Sequence, residues 1–317
     1  MGVKGLNRIF DEFKNIKSIE NIKINEMKNS TVAIDANNWL YQFLCAGRKS
    51  SDGEILNSKG VKITIIIGLY RRIMFMLKKN IKPVFVFDGK PPIFKNVTLK
   101  NRKKNKCIAQ EKIDNNEYNN IEEKKKLIQR ASSVTKNDII LCKKLIKILG
   151  LPIIDAPGEA DAELAYLQRK KLVDYIISED NDIIVFGGNN VIKGFKASKA
   201  MYNLTNLDDF YKKTGLTQED LAKIAILLGC DYFQGVKGIG IKRISKMIEN
   251  KKIEFELAQS INPDVNEILE HFLKPKVSGI QSLDFQKIDI EKLNEYLKVY
   301  LEFNTLQIQN SIGDLIC

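Results

Sequence analysis

Seven carboxylates carry the chemistry that this sequence suggests first. Asp35, Asp88, Glu159, Asp161, Asp180, Asp182 and Asp231 each lie where an apolar run gives way to a loop or a helix. Their segments are Thr31-Val-Ala-Ile-Asp35, Pro83-Val-Phe-Val-Phe-Asp88, Asp155-Ala-Pro-Gly-Glu159-Ala-Asp161, Tyr175-Ile-Ile-Ser-Glu-Asp180-Asn-Asp182 and Leu227-Leu-Gly-Cys-Asp231. Hard oxygen ligands gathered in this way suit a divalent cation. The formal net charge is +12, so acids that close apolar runs point to a cation rather than to solubility. Singly, each acid has a plainer reading. If a strand carries on through Asp180 and Asp182, both fall on one face, although Glu-Asp-Asn-Asp is equally good turn chemistry. Glu159 and Asp161 open a helix after Pro157-Gly158, where acids suit the positive helix end, and joint ligation by the two needs an irregular first turn. Asp88 stands before the turn Gly89-Lys90-Pro91-Pro92, and Asp35 is placed to cap the next helix. Seven separate coincidences at element ends are less economical than one metal site.

Composition bounds the alternatives. The chain has 317 residues, enough for one large or two modest domains, and its 51 Lys and Arg against 39 Asp and Glu point to a polyanion such as nucleic acid. A single histidine, His271, excludes histidine triads and histidine-ligated metals; far in sequence from every acidic motif, it reads as a surface helix residue. Cys45, Cys107, Cys142, Cys230 and Cys317 are odd in number and lack C-x-x-C spacing, which indicates a reducing compartment and no zinc site. No apolar stretch approaches membrane-spanning length and no secretory signal is visible. Leu6 stands where a myristoylation pattern requires Ser or Thr.

The elements that must position these acids follow an α/β pattern with a mostly parallel sheet. Thr31 to Ile34, Val84 to Phe87, Ile153 to Ile154, Tyr175 to Ile177 and Ile183 to Phe186 read as strands, with helices over Trp39 to Ala46 and Ile65 to Leu77. Carboxylates at the carboxyl ends of such strands sit where α/β sheets place ligands. From Lys95 to Lys136 the apolar period fades into Lys, Asn, Glu and Gln, including the basic run Lys100 to Lys106; this is either a disordered insertion or a charged helical pair. Beyond Leu216 the pattern is helical, and Lys237-Gly238-Ile-Gly240-Ile-Lys242-Arg243 reads as a helix-hairpin-helix turn in which glycines admit a phosphate and the basic residues add charge.

Together these residues resemble the flap endonuclease branch of the XPG-type structure-specific 5′ nucleases. The resemblance spans roughly Met1 to Asn250 and rests on Met1-Gly-Val-Lys-Gly-Leu6, Val32-Ala-Ile-Asp-Ala36, Tyr41-Gln-Phe-Leu44, Ile81 to Pro92, Asp155 to Ala162, Ser178 to Asp182, Leu228-Gly-Cys-Asp-Tyr232 and Gly238-Ile-Gly240. It implies a PIN-like nuclease core, a mostly parallel sheet flanked by helices, with a helical arch insertion and a C-terminal helix-hairpin-helix region. The corresponding division is an N-terminal nuclease region over 1–106, the rest of an arch that begins near Lys95 over 107–136, an internal nuclease region over 137–252 and a helical tail over 253–317. The implied activity is two-metal hydrolysis at 5′ flaps together with 5′ to 3′ exonuclease action, in replication (Okazaki fragment maturation) and repair (long-patch base excision repair). A duplex 5′ exonuclease of the same superfamily is the nearer rival, and a non-catalytic DNA-binding scaffold the more distant one.

By the same resemblance, Asp35, Asp88, Glu159 and Asp161 belong to a first Mg²⁺ and Asp180, Asp182 and Asp231 to a second, with Mn²⁺ able to substitute and ligands shared. Lys95 and Arg102 match a cationic pair over the reacting phosphate, and Tyr41 a ring that stacks on a base. Arg48, Arg72, Arg130, Gly229, Lys242 and Arg243 match DNA contacts, as do Glu159 and Asp231 beside the strand; the Gly238 and Gly240 hairpin matches a duplex-holding motif that also binds K⁺. Two departures stand out: Asp161 replaces the Glu usual in this branch, and Asn57-Ser58-Lys59-Gly60-Val61 lacks the acids expected near a 3′-flap pocket. Near the end, Gln309, Ile312, Leu315 and Ile316 fall in the register of a sliding-clamp (PCNA) peptide without its aromatic pair, or else form an amphipathic tail packed on its own domain. A monomer in the nucleus is expected, or at a cytoplasmic replication site for a viral chain.

Overall fold

A computed structural model describes residues 2–12, 19–49 and 55–316, except for the side chains of residues 11, 47–49, 312 and 314–316. Seven strands, β1 (Ile19–Lys23), β2 (Thr31–Asp35), β3 (Lys82–Phe87), β4 (Ile153–Asp155), β5 (Tyr175–Ile177), β6 (Val191–Lys193) and β7 (Met201–Thr205), form one sheet in the order β1-β7-β6-β5-β2-β3-β4. β5 runs parallel to β2 and to β6, whereas β7 runs antiparallel to β6 and to β1. Val32, Ala33, Ile34, Val84, Phe85, Val86, Ile176 and Ile177 are all buried, as expected of unalternating apolar strands covered on both faces. β1, β6 and β7 were not foreseen; β1 and β7 are short and largely polar, and they gain stability from pairing rather than from an apolar signature.

By contact the chain groups into two discontinuous units, each drawing on several of the linear regions named above. The first comprises Met1–Asp35, Val86–Thr98 and Asp155–Ser282. It carries α1 (Leu6–Glu12), α7 (Ala160–Arg169), α8 (Asp182–Val185), α9 (Asp208–Thr214), α10 (Gln218–Leu228), α11 (Ile241–Glu249), α12 (Glu256–Gln259) and α13 (Val265–Leu273). The second comprises Ala36–Phe85, Leu99–Ile154 and Leu283–Cys317. It carries α2 (Ala36–Lys49), α3 (Thr64–Lys78), α5 (Ile121–Ala131), α6 (Lys136–Ile148), α14 (Ile290–Leu301) and α15 (Thr305–Ile316). α4 (Asn96–Asp114) starts in the first unit and continues in the second. Among the described residues no helix is long and apolar enough to cross a membrane.

Two expectations are corrected here. Ile183 to Phe186 is helical: the Phe186 amide donates to the Asp182 carbonyl at 2.9 Å, and four apolar residues bear no period that separates a buried strand from a buried turn of helix. Asp180 and Asp182 therefore do not share a strand face; β5 ends at Ile177, and the turn that follows brings the two acids together. The segment after Lys95 is the charged helical pair. α4 buries only Ala109, and Ala109, Leu127 and Ala131 make a small core with Ile113 and Tyr118, while Asn120 caps α5 by accepting from the Glu123 amide at 2.8 Å. In the second unit Arg72 stacks over Trp39 and Phe43 at 4.6 and 4.4 Å, and the Tyr296 hydroxyl donates to the Leu141 carbonyl, joining α14 to α6.

The junction between the end of β3 and the loop after β4 sets the spacing of two acidic segments. The Ala156 amide donates to the Phe87 carbonyl at 2.9 Å and the Gly89 amide to the Gly158 carbonyl at 2.7 Å, so Asp88 and Glu159 are fixed by backbone. A Cβ on Gly89 would stand 1.9 Å from the Ala156 carbonyl oxygen. Gly89→Ala is accordingly expected to destabilise the protein by about 1–3 kcal/mol, whereas Lys90→Ala in the same exposed turn shifts it by no more than about 0.5 kcal/mol. Urea unfolding followed by circular dichroism checks this, and equal midpoints for the two variants would contradict the junction's role.

Candidate metal centre and nucleic-acid contacts

The acids converge in the first unit. Asp35 ends β2 and accepts from the Ser178 hydroxyl at 3.0 Å; Asp88 follows β3 and accepts from the Ala160 amide at 2.9 Å. Glu159 is the N-cap of α7, with extended backbone (φ −84°, ψ 144°), and Asp161 lies in the first turn. That non-helical Glu159 supplies the irregularity that residues two apart need to face one site. Asp180 accepts from the Asp182 amide, and Asp182 accepts from the Val3 amide at 2.9 Å. Gly2 packs against the same pair: a Cβ there would stand 2.1 Å from Asp180 Oδ1 and 2.5 Å from Asp182 Oδ1.

Asp161, Asp180 and Asp182 each bring one carboxylate oxygen within 4.8 Å of the others. This trio crosses the division into first and second metal ligands. Burial pushes Asp161 well above the usual carboxylate range, helped by the charges of Asp180, Asp35, Asp182 and Asp88. Asp182 is raised likewise, by burial and then by Asp180 and Asp231, with Lys95 opposing. All seven acids thus belong to one electrostatic cluster. A divalent cation fits it, because Asp182 Oδ2 is buried with no hydrogen-bond donor among the described residues, and an unpaired buried carboxylate oxygen calls for positive charge.

Among the described residues, Lys95 stands inside the cluster. Lys95, only 12% exposed, donates to Glu159 Oε1 and lies 3.3 Å from Asp231 Oδ2. Burial alone would lower its pKa, but Glu159 first and then Asp231 and Asp161 raise it, so it stays an ammonium. Burial likewise acts to raise Glu159, yet His271, Lys95 and Tyr232 outweigh it and hold the carboxyl below its ordinary value. The Tyr232 hydroxyl donates to Glu159 Oε2 at 2.5 Å. Thr98, in the first turn of α4, donates to the Asp231 carbonyl at 2.6 Å.

His271 corrects a further expectation. It lies in α13, but its side chain is packed among Phe94, Phe186 and Tyr232, and its Nε2 is 3.4 Å from Glu159 Oε2. Neither His271 nor Tyr232 was legible as a site residue. Tyr232 had the signal of following Asp231 directly, whereas His271 sits on a helix whose apolar stripe only fixes which face is buried.

The expected DNA contacts fall into different surroundings. Arg102 and Arg130 are exposed on α4 and α5, and Lys242 and Arg243 on α11, where Arg243 also pairs with Glu254 at 2.8 Å. Gly238 has φ +83°, and a Cβ on Gly238 or Gly240 would meet nothing within 4 Å, so the hairpin's backbone is open to a ligand. Gly229 answers a packing need as well, since a Cβ there would stand 2.5 Å from the Gln234 carbonyl oxygen. Arg72 is committed to Trp39 and Phe43, and the Arg48 side chain lies outside the described residues. Tyr41 donates to the Gln129 carbonyl at 3.1 Å, and burial, then Cys45, pushes its hydroxyl up to about 12.

A sheet whose strands end in a carboxylate cluster, with a lysine-rich helical pair and an open glycine hairpin, defines a metal-dependent nuclease class. The XPG N-terminal domain matches residues 1–109 and the XPG I-region residues 150–231. Flap endonuclease 1 of Methanococcus aeolicus is 34% identical over 300 residues, covering 93% of this chain and 91% of that one. Among solved structures, flap endonuclease-1 from Methanococcus jannaschii is 28% identical with a TM-score of 0.73, covering 96% of each chain. The catalytic core of Rad2 in complex with DNA substrate, at 24% identity and a TM-score of 0.71 over 99% of this chain and 98% of that one, shares the fold. The chain belongs to the XPG nuclease family, in its flap endonuclease branch.

The raised acids give a signed pH dependence. In the metal-free protein Asp161 and Asp182 hold protons that an unfolded chain releases near pH ~4, so folding takes up protons and stability falls as pH rises through the elevated values. Asp161→Asn should therefore be more stabilising in EDTA at about pH 8 than at about pH 4. A divalent cation bound there would displace those protons, so the rise in Tm given by added Mg²⁺ should be larger at the higher pH. Thermal melts across this range test both, and a Mg²⁺-induced shift independent of pH would contradict the assignment.

Proposed function

We infer that the chain is a structure-specific 5′ flap endonuclease with 5′ to 3′ exonuclease action, serving DNA replication and repair. The observation that carries this reading is Lys95, a buried ammonium held by Glu159 and Asp231 within a seven-acid cluster. The names of the relatives support flapped DNA as substrate. Divalent ions held by Asp161, Asp180 and Asp182, with Asp35, Asp88, Glu159 and Asp231 completing the set, would polarise a phosphoryl oxygen and lower the pKa of the attacking water. We take these ions to be two Mg²⁺, with Mn²⁺ able to substitute.

The chain's own part is positioning and charge. Lys95 offers N–H donors to the phosphoryl oxygens, and its dry setting strengthens the attraction relative to water. Arg102, exposed on α4, adds a second positive charge, and the Tyr41 ring offers a stacking face to an unpaired base. The Gly238 and Gly240 hairpin with Lys242 and Arg243 holds duplex phosphates, and its carbonyls are proposed to take K⁺. The short Asp161 keeps duplex exonuclease preference as a second reading.

We place the enzyme, as a monomer, in the nucleus or at a viral replication site in the cytoplasm; its surplus of basic residues supports a DNA-rich compartment. For a clamp contact through Gln309, Ile312, Leu315 and Ile316, support comes from the exposure of Gln309 on α15. Buried Ile308 and the bond from Tyr70 to Ser311 favour a tail packed on its own unit, and loss of clamp binding on deleting Gln309 to Cys317 separates the two.

Cleavage started with Mg²⁺ and stopped with EDTA, on 5′-flap, nicked and blunt duplexes side by side, tests the function. Flaps should be cut fastest, and Asp180→Ala should bind flaps yet leave them intact; near-parental turnover by that variant at saturating Mg²⁺ would sink the metal reading. Lys95→Ala should slow single-turnover cleavage by about 10²–10³-fold with little change in affinity. Lys242→Ala should instead weaken binding and reduce the salt slope by about 1. If both act on affinity alone, Lys95 is only part of an electrostatic surface.

A further inference from the structure

The mechanism above leaves His271 without a task, although it reaches the site. Its ring is met edge-on by Phe94 at 5.1 Å, Phe186 at 5.4 Å and Tyr232 at 5.4 Å, with interplanar angles of 71°, 85° and 86°. Its Nε2 is buried, has no well-formed hydrogen bond among the described residues, and lies 3.4 Å from Glu159 Oε2. Aromatic packing alone would be served better by a ring without a polar atom, because a buried N–H that lacks an acceptor is costly. The polar edge is therefore explained by the carboxylate that it faces.

Glu159 has to serve two states. In the present one it is 5% exposed, with Lys95 on Oε1 and the Tyr232 hydroxyl on Oε2. When Lys95 turns to a phosphoryl oxygen, Glu159 Oε1 loses the ammonium that holds it in place, and a carboxylate with one fixed partner fewer is freer to rotate out of register with the ions it serves. Groups at Oε2 keep the carboxylate from rotating after the lysine: the Tyr232 hydroxyl donates there, and His271 Nε2 stands 3.4 Å away.

We propose that His271 is a positioning residue of the nuclease: through Nε2 it anchors Glu159 Oε2 together with Tyr232, so that Lys95 can be aimed at, and released to, the scissile phosphate. The inference rests on the nuclease reading and deepens it.

The test uses the full chain in single-turnover flap cleavage. His271→Phe keeps the ring packing and removes the donor; it should slow cleavage about tenfold while flap affinity stays within about twofold. His271→Leu, made alongside in case the larger ring disturbs folding, should act in the same way. His271→Gln restores an N–H donor and should return the rate to within about threefold of the parent. In a Lys95→Ala background, His271→Phe should cause no further loss, because the residue acts through Lys95, whereas a general structural defect would multiply. Parental rates for His271→Phe and His271→Leu, a His271→Gln as slow as His271→Phe, or multiplicative losses with Lys95→Ala would each overturn the proposal. Failure of the nuclease reading is distinct, since the unmodified chain would then cut no flap in Mg²⁺.

Discussion

Mutual repulsion among buried carboxylates is the constraint from which the rest of this site follows. Like charges brought together out of water are costly unless positive charge joins them, and the raised pKa values of Asp161 and Asp182 express that cost. The fold meets it with fixed donors as well as cations. The Ser178 hydroxyl serves Asp35, the Ala160 amide serves Asp88, and the Val3 amide serves Asp182. These are backbone or near-backbone groups, so the acids are held in fixed orientations. A site arranged this way is organised in advance for ions and has little to rearrange when they arrive.

Lys95 occupies a different position in that electrostatic field from the lysines of α4 and α5. The lysines of α4 and α5 are mostly exposed and hydrated, so each is worth little locally and acts as part of a long-range attraction that salt screens. Lys95 is paired, dry and close to three acids, and screening hardly touches it. On the proposed reading net positive charge does two jobs, gathering substrate at a distance and acting on charge at the reacting centre, and burial separates the residues that do each.

Much of the site was legible because its acids terminate apolar strands, and apolar runs can be read without a partner. Asp35, Asp88 and Asp180 follow directly from β2, β3 and β5. The run Ile183 to Phe186 was not legible as helix because four buried apolar residues satisfy either period. β1 and β7 were hidden for the opposite reason: Ile19-Glu-Asn-Ile-Lys23 and Met201-Tyr-Asn-Leu-Thr205 become strands by pairing with each other across the sequence. His271 was misread because distance along the chain says nothing about distance across α13 and α10, which pack together in one unit. Partnership between remote side chains depends on packing that no local pattern encodes.

The bond from Tyr41 to the Gln129 carbonyl joins α2 to the last turns of α5. One hydroxyl thus ties the Tyr41 ring to the helical pair that follows Lys95. If, as proposed, a base stacks on Tyr41, displacement of that ring and displacement of α5 are linked through this bond, and by linkage any coupling between the two surfaces is equal in both directions.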